Sequence, residues 1–231
     1  MPAELTLYPR LRAIADLVPC GTRLVDVGTD HGYLPVWLLS QGRVASAIAT
    51  DIVPGPLDHA RRTAGQYLND MTVLDFRLCD GLAAVVPEEV DTIVIAGMGG
   101  ETIAHILEAA PWTKEGVQLF LQPMSKVEFL REWLVSNGYC IQAERLVQDK
   151  GFLYTVLSVA GGEGSLQAPG QFWYGWAAPD DPLFSAYLDR QLQKLRQIIG
   201  GLEQSVGSDR QERLRHFQAL LAALEEKRCT Q

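Results

Sequence analysis

A chain of 231 residues, 47% apolar and 21% charged, has room for one full domain and a smaller attachment. Its apolar runs are too short for a membrane span, no signal-peptide pattern opens it, and its four scattered cysteines make neither a disulfide framework nor a zinc site, so a cytoplasmic protein with no membrane contact and no metal is expected. The net charge of −8 weighs against a nucleic-acid partner unless a local basic surface makes the contact.

Leu7, Leu11, Ile14, Ala15 and Val18 predict an amphipathic helix over 5–18. Strands are expected at 23–27, 45–50, 72–78, 92–96 and 117–122, alternating with helices at 34–40, 57–69, 101–110 and 126–137. That order implies a mostly parallel α/β sheet covered on both faces. Two further strands, 140–147 and 154–160, are separated by the short polar stretch Gln148-Asp149-Lys150-Gly151. So tight a link makes them antiparallel, because a parallel crossover takes about a dozen residues or more. A mostly parallel seven-stranded sheet closed by an antiparallel hairpin is the plan of Rossmann-like class I methyltransferases; dehydrogenase domains continue in parallel.

Residues 161–180 are rich in Gly, Ser, Pro and aromatics and read as a connector. A helix is expected from about Asp181, with Pro182 at its first position. Leu188, Leu192, Leu195, Ile199 and Leu202 then recur at four- and three-residue steps. After Gly207, a natural turn residue, a second helix is expected from Ser208, with Gln211 completing a capping box. Leu214, Phe217, Leu221 and Leu224 repeat the stepping, which predicts an antiparallel coiled-coil hairpin. The expected organisation is an α/β domain over 1–160, a connector over 161–180 and a helical hairpin over 181–231.

In open α/β sheets the ligand sits beyond the carboxyl ends of the strands. Five consecutive predicted strand ends here carry Asp, Gly or an amide-Pro pair: Asp26-Val27-Gly28, Asp51, Asp80-Gly81, Gly97-Met98-Gly99-Gly100 and Gln122-Pro123. The turn after the first strand has glycines at the outer positions of a G-x-G-x-G pattern, Gly28 and Gly32, and Asp30 at the central one. A carboxylate there repels a pyrophosphate and suits a sulfonium or a purine amine. Asp51 stands where an acid reaches ribose hydroxyls, Asp80 where one accepts from an adenine amine, and Asp26 where one holds backbone N–H groups or an amino-acid amine. Each of these acids has the alternative of capping the following helix. Met98 reads as a pocket-lining side chain, and the surrounding glycines as a close approach to substrate or a tight turn. His31 is a base or an orienting group for Asp30; His59, His105 and His216 read as surface or packing residues.

Asp26-Val27-Gly28-Thr29-Asp30-His31-Gly32-Tyr33-Leu34-Pro35, Val53-Pro54-Gly55-Pro56, Cys79-Asp80-Gly81-Leu82, Ile95-Ala96-Gly97-Met98-Gly99-Gly100 and Leu121-Gln122-Pro123 resemble the bacterial tRNA adenine-N1 methyltransferase (TrmK) family. The likeness runs from about Leu7 to Ala160, and the C-terminal hairpin is similar to the family's coiled coil. It implies S-adenosylmethionine-dependent methylation of N1 of adenine 22 in tRNA. It further implies a cofactor site at Gly28, Asp51, Asp80, Gly81 and the Gly97, Met98 and Gly99 backbone, and a catalytic carboxylate at Asp30; the expected site adds Asp26 for the cofactor, His31 beside Asp30, and Tyr33, Gly100, Gln122 and Pro123 for the substrate. Gly32 replaces the family's usual Ala, a change expected to be harmless or slightly loosening, Thr50-Asp51 its common Gly-Glu, and Met124 its usual Asn.

Arg190, Lys194 and Arg196 on the first C-terminal helix, with Arg210, Arg213 and Arg215 on the second, are either a phosphate-tracking surface for tRNA or a solvated face balanced by acids. A monomer is expected. A small-molecule methyltransferase and a non-catalytic S-adenosylmethionine- or RNA-binding protein are the competing readings. Methyl transfer to unmodified tRNA separates the three.

Overall fold

The computed structural model describes residues 5–164, 167–206 and 209–230. Strands Thr22–Val27 (β1), Val44–Asp51 (β2), Leu74–Leu78 (β3), Thr92–Gly99 (β4), Gln118–Ser125 (β5), Tyr139–Asp149 (β6) and Phe152–Gly161 (β7) form one sheet in the order β3-β2-β1-β4-β5-β7-β6. Neighbours from β3 to β5 are parallel, and β7 runs antiparallel to both β5 and β6. The central strands are continuous aliphatic runs because both faces are covered. Val25, Ile93, Val94, Ile95, Leu119 and Leu121 are all fully buried. Helices Pro9–Leu17 (α1), Tyr33–Ser40 (α2), Pro54–Tyr67 (α3), Gly100–Ala109 (α4) and Val127–Ser136 (α5) supply the covering layers. On one face Ile14 of α1 and Val36 and Leu38 of α2 join Leu24, Val94, Phe120 and Val156 in a single core.

The structure departs from the sequence pattern at places with local causes. The N-terminal helix starts at Pro9, not near residue 5. The residue before a proline is pushed out of the α region, and Tyr8 is extended at φ −61° and ψ 153°. The β6–β7 link is a two-residue turn, since Asp149 already pairs with Phe152. Lys150 and Gly151 between them both have positive φ, 48° and 82°, the primed-turn geometry that matches strand twist. The stretch expected as a glycine turn after the fourth strand is instead strand: β4 continues to Gly99, and its register with β5 shifts around Met98.

The chain divides into two compact units, Met1–Gly164 and Ser165–Gln231. Within the second, the expected connector contains a short helix, Gln171–Tyr174 (α6), and the long helices are Phe184–Gln204 (α7) and Arg210–Cys229 (α8). α7 begins after the expected Asp181, because the Asp181 carboxylate accepts the Leu183 N–H at 2.8 Å and closes a turn first. The expected cap at Ser208 and the turn at Gly207 lie outside the described residues. Leu188, Leu192, Leu195, Ile199 and Leu202 are buried on α7, and Leu224 is buried on α8. The pairs Asp189–Arg228 and Arg196–Glu225 set the two helices antiparallel.

The ion pair that joins α5 to β6 is fully enclosed. The Arg131 guanidinium of α5 donates to both carboxylate oxygens of Glu144 on β6, with both side chains at zero exposure. Removing Glu144 takes the bidentate acceptor away from a buried guanidinium. Glu144→Ala should therefore cost about 3–5 kcal/mol of stability, read as a lowered midpoint in denaturant unfolding.

Candidate active site

After β1 the chain passes through Gly28, Asp30 and Gly32 at φ 69°, 51° and 69° before entering α2. The Gly28 and Thr29 N–H groups both donate to the Thr50 carbonyl of β2, at 2.9 and 3.0 Å. The Thr50 hydroxyl donates to the Gly81 carbonyl at 3.0 Å, tying in the turn after β3. One residue thus gathers three strand ends.

Beyond that knot lies a cavity of about 210 Å³ lined by Asp26, Gly28, Asp30, His31, Tyr33 and Gly97, with Arg10 of α1 at its side. Asp26 is buried, and its carboxylate accepts the Thr29 hydroxyl at 2.7 Å, not a helix N–H. Burial pushes the Asp26 carboxyl up to about 6, against the Thr29 bond and with help from the charge of Asp51. Gln122 closes the β4–β5 side. Its side-chain oxygen accepts from Arg10 at 2.5 Å and from the Gly97 N–H at 3.2 Å.

Asp30 does not cap α2. The cap position is Gly32, no side chain caps the helix, and the Asp30 carboxylate is 73% exposed. His31 places Nε2 at 3.7 Å from Asp30 Oδ1. Its ring is stacked on Tyr33 (centroids 5.3 Å) and on His59 of α3 (4.8 Å). Gly32 makes the second stack possible: a Cβ there would lie 2.8 Å from the Ala60 Cβ, the residue beside His59. The glycine expected to be neutral or loosening instead lets α3 approach α2.

The remaining predicted residues fall at the same edge or behind it. Asp51 accepts the Val53 N–H with Oδ1 at 3.0 Å, starting α3, and among the described residues no hydrogen bond occupies its second oxygen. Asp80 and Gly81 line a separate cavity of about 250 Å³ together with His105 and Ile106 of α4. The Met98 side chain fills the space a Cβ at Gly28 would take, and Pro123 is its register partner on β5. Gly99 lies near the Ser125 hydroxyl. Gly100 is buried beneath the Ser125 and Lys126 carbonyls, where a Cβ does not fit, so packing accounts for it. Arg190, Lys194 and Arg196 lie on α7 of the second unit; Arg196 pairs with Glu225 at 2.8 Å and Lys194 stands over the Trp173 ring at 5.2 Å. Arg213 approaches Asp209 at 3.7 Å, and Arg210 and Arg215 donate to the Glu203 and Gln211 carbonyls.

Sequence reading missed Arg10; His59 and His105, read as surface or packing residues, stack on His31 and line the Asp80 cavity. Arg10 and His105 occupy helices whose distance from the strand ends no spacing reveals. His59 carried a weak signal in the small Gly32 beside α2. Among the described residues no three His, Cys, Asp or Glu side chains are grouped to hold a metal, and no helix is long and apolar enough to cross a membrane.

Comparison with known proteins gives a concordant picture. Residues 7–157 match the family described as a methyltransferase domain. The chain is 38% identical over 162 residues to the tRNA (adenine(22)-N(1))-methyltransferase of Bacillus subtilis, covering 69% of this chain and 67% of the relative. It superposes on the crystal structure of the B. subtilis m1A22 tRNA methyltransferase TrmK with a TM-score of 0.84 at 30% identity, over 97% and 100% of the two chains. A Streptococcus pneumoniae protein described as a putative tRNA (m1A22) methyltransferase, solved with S-adenosyl-L-methionine, matches at a TM-score of 0.75 and 32% identity, over 96% and 100%.

The raised Asp26 carboxyl has a testable sign. The folded chain holds this proton more tightly than the unfolded chain, so between about pH 4 and pH 6 stability falls as pH rises. Above pH 6 the buried charge costs roughly 3 kcal/mol. Asp26→Asn should be more stable than the parent at pH 8, with the difference closing below pH 4. Equal pH profiles in thermal unfolding would exclude this assignment.

Proposed function

The chain belongs to the tRNA (adenine(22)-N1)-methyltransferase family, and we infer that it transfers a methyl group from S-adenosylmethionine to N1 of adenine 22 in tRNA. The observation that carries this reading is the carboxylate-lined cavity at the ends of β1 and β4, beside the turn that Thr50 ties down. Its donor set fits the cofactor. Asp26 and Asp30 line it and Asp51 stands beside it, a poor setting for a pyrophosphate and a good one for a sulfonium and an ammonium. Asp51, with one oxygen left over from the Val53 N–H, would hold the ribose hydroxyls. Asp80 and Gly81 would hold the adenine, Asp26 the amino group, and Arg10 the carboxylate, with Gly28, Gly97, Met98 and Gly99 forming the wall.

Bound S-adenosylmethionine supplies a methyl group attached to positively charged sulfur. The chain's own work is binding and charge placement. N1 of adenine carries a lone pair in the plane of the ring, so attack requires no strong base. Methylation leaves a positive charge spread over N1 and the exocyclic N6. Asp30, exposed at the cavity mouth, is the acceptor for that N6–H and the counter-charge for the ring. His31, fixed between the Tyr33 and His59 rings, keeps its Nε2 on the Asp30 side and sets the direction of the carboxylate. Tyr33, Gln122 and Pro123 are the proposed walls around the base.

The cations of α7 are proposed phosphate contacts. The Arg196–Glu225 pair is exposed on both sides, and exposed pairs are worth about 0.2–1 kcal/mol, so a phosphate can replace the carboxylate. We place the enzyme in the cytoplasm with its tRNA substrate and acting as a monomer.

Methyl transfer from labelled cofactor to unmodified tRNA, followed by mapping of the modified base, tests the activity; a label at any position other than N1 of adenine 22 refutes it. Asp30→Asn tolerates the left-handed backbone at this position while removing the charge. It should retain cofactor affinity and lose about a hundredfold in kcat. A normal kcat would remove Asp30 from the mechanism.

A further inference from the structure

Five side chains outside the proposed cofactor contacts, or only touching them, form a ridge along the same edge of the sheet. β7 is antiparallel to β5, and their pairing runs from Leu119–Val159 to Leu121–Leu157, so the start of β7 lies beyond that paired stretch, towards the edge where the parallel strands end. Phe152 and Tyr154 are on this first stretch of β7, with ring centroids 6.4 Å apart. Lys150, in the tight turn before them, lies over the ring of Tyr8 at 4.7 Å. Arg10 lies over the ring of Tyr154 at 5.8 Å and also lines the candidate catalytic cavity. Tyr8 in turn lines a pocket shared with Tyr33, whose ring faces that cavity. The ridge is therefore continuous with the active-site mouth at both Arg10 and Tyr33.

The protein carries a net charge of −8, yet here two cations alternate with three aromatic rings, and the nearest acid in sequence is Asp149. Tyr8 is 55% and Phe152 59% exposed, so neither is explained by the core. Exposed aromatics interleaved with cations are the arrangement that binds single-stranded nucleic acid: the rings stack on bases and the cations meet phosphates. An enzyme that acts on N1 of a base must draw that base out of its stack, which leaves the neighbouring bases without stacking partners.

We propose that Tyr8, Lys150, Phe152 and Tyr154, beside Arg10, form a stacking ridge that receives the tRNA nucleotides flanking the extruded adenine. The proposal rests on the tRNA-methylating activity inferred above. It adds a contact surface on the methyltransferase unit, distinct from the cations of α7.

The test measures tRNA binding by filter retention without cofactor, steady-state methylation against tRNA concentration, and S-adenosylmethionine affinity by calorimetry. The Tyr8→Ala/Phe152→Ala double variant should weaken tRNA binding and raise KM for tRNA by about tenfold or more. Cofactor affinity should not change, and Phe152→Tyr should restore binding. Lys150→Asn, which keeps the left-handed turn, should lower the slope of log affinity against log salt by about 0.7–0.9. Unchanged tRNA affinity in the double variant overturns the proposal. So does a parallel loss of cofactor affinity, which would assign these rings to the fold. A parent protein that binds tRNA through the ridge without methylating it refutes the activity and leaves the surface standing. A parent that does neither refutes both.

Discussion

Thr50 is the constraint on which the site depends. Its carbonyl accepts the N–H groups of Gly28 and Thr29, and its hydroxyl reaches the Gly81 carbonyl. Parallel strands bring their carboxyl ends to one edge, but the loops that leave them are free to splay. Here the loop after β1, the end of β2 and the turn after β3 are joined by bonds from a single buried residue. Asp26, Asp51 and Asp80 consequently stand at neighbouring strand ends, each with a carboxylate that the fold does not fully use.

A second fixed point lies across the cavity at Gln122. Fully buried at the end of β5, its side-chain oxygen receives both the Gly97 N–H and the Arg10 guanidinium. That pair of bonds joins the irregular end of β4 to α1, an element remote from it in sequence. It explains how β4 can continue through Gly97-Met98-Gly99 as strand while leaving Gly97 exposed to the cavity. The same bond sets Arg10 as the lone cation among the cavity's acids, at the border between the pocket and the aromatic ridge.

The electrostatics of the molecule follow a division of labour. Acid is concentrated around the proposed cofactor and base site, and burial tunes one member, Asp26, towards neutrality. Asp30 is the opposite case, an exposed carboxylate on a left-handed backbone that serves no helix cap. That uncommon backbone with no helix to cap is one ground for the substrate-facing role proposed for Asp30. Cations stand at the side of the site, as Arg10 does, and along both helices of the hairpin.

Much of this protein is written locally. The alternation of aliphatic runs with 3.6-residue periodicity, and the short link before the last strand, determined the seven-stranded plan with its antiparallel close. Asp or Gly at successive strand ends marked the edge where the ligand belongs. Those signals are legible because strand burial, helix amphipathicity and turn chemistry are properties of neighbouring residues. What required the tertiary structure was every choice between capping and function. That Asp30 leaves α2 uncapped, that Asp26 holds a hydroxyl and that Gly100 answers to packing depend on backbone angles and on segments far along the chain. The positions of Arg10 against Gln122, His59 on His31 and Lys150 over Tyr8 were decided by the packing of α1, α3 and the β6–β7 turn onto the sheet, and no spacing in the sequence encodes a distance between elements that meet only after folding.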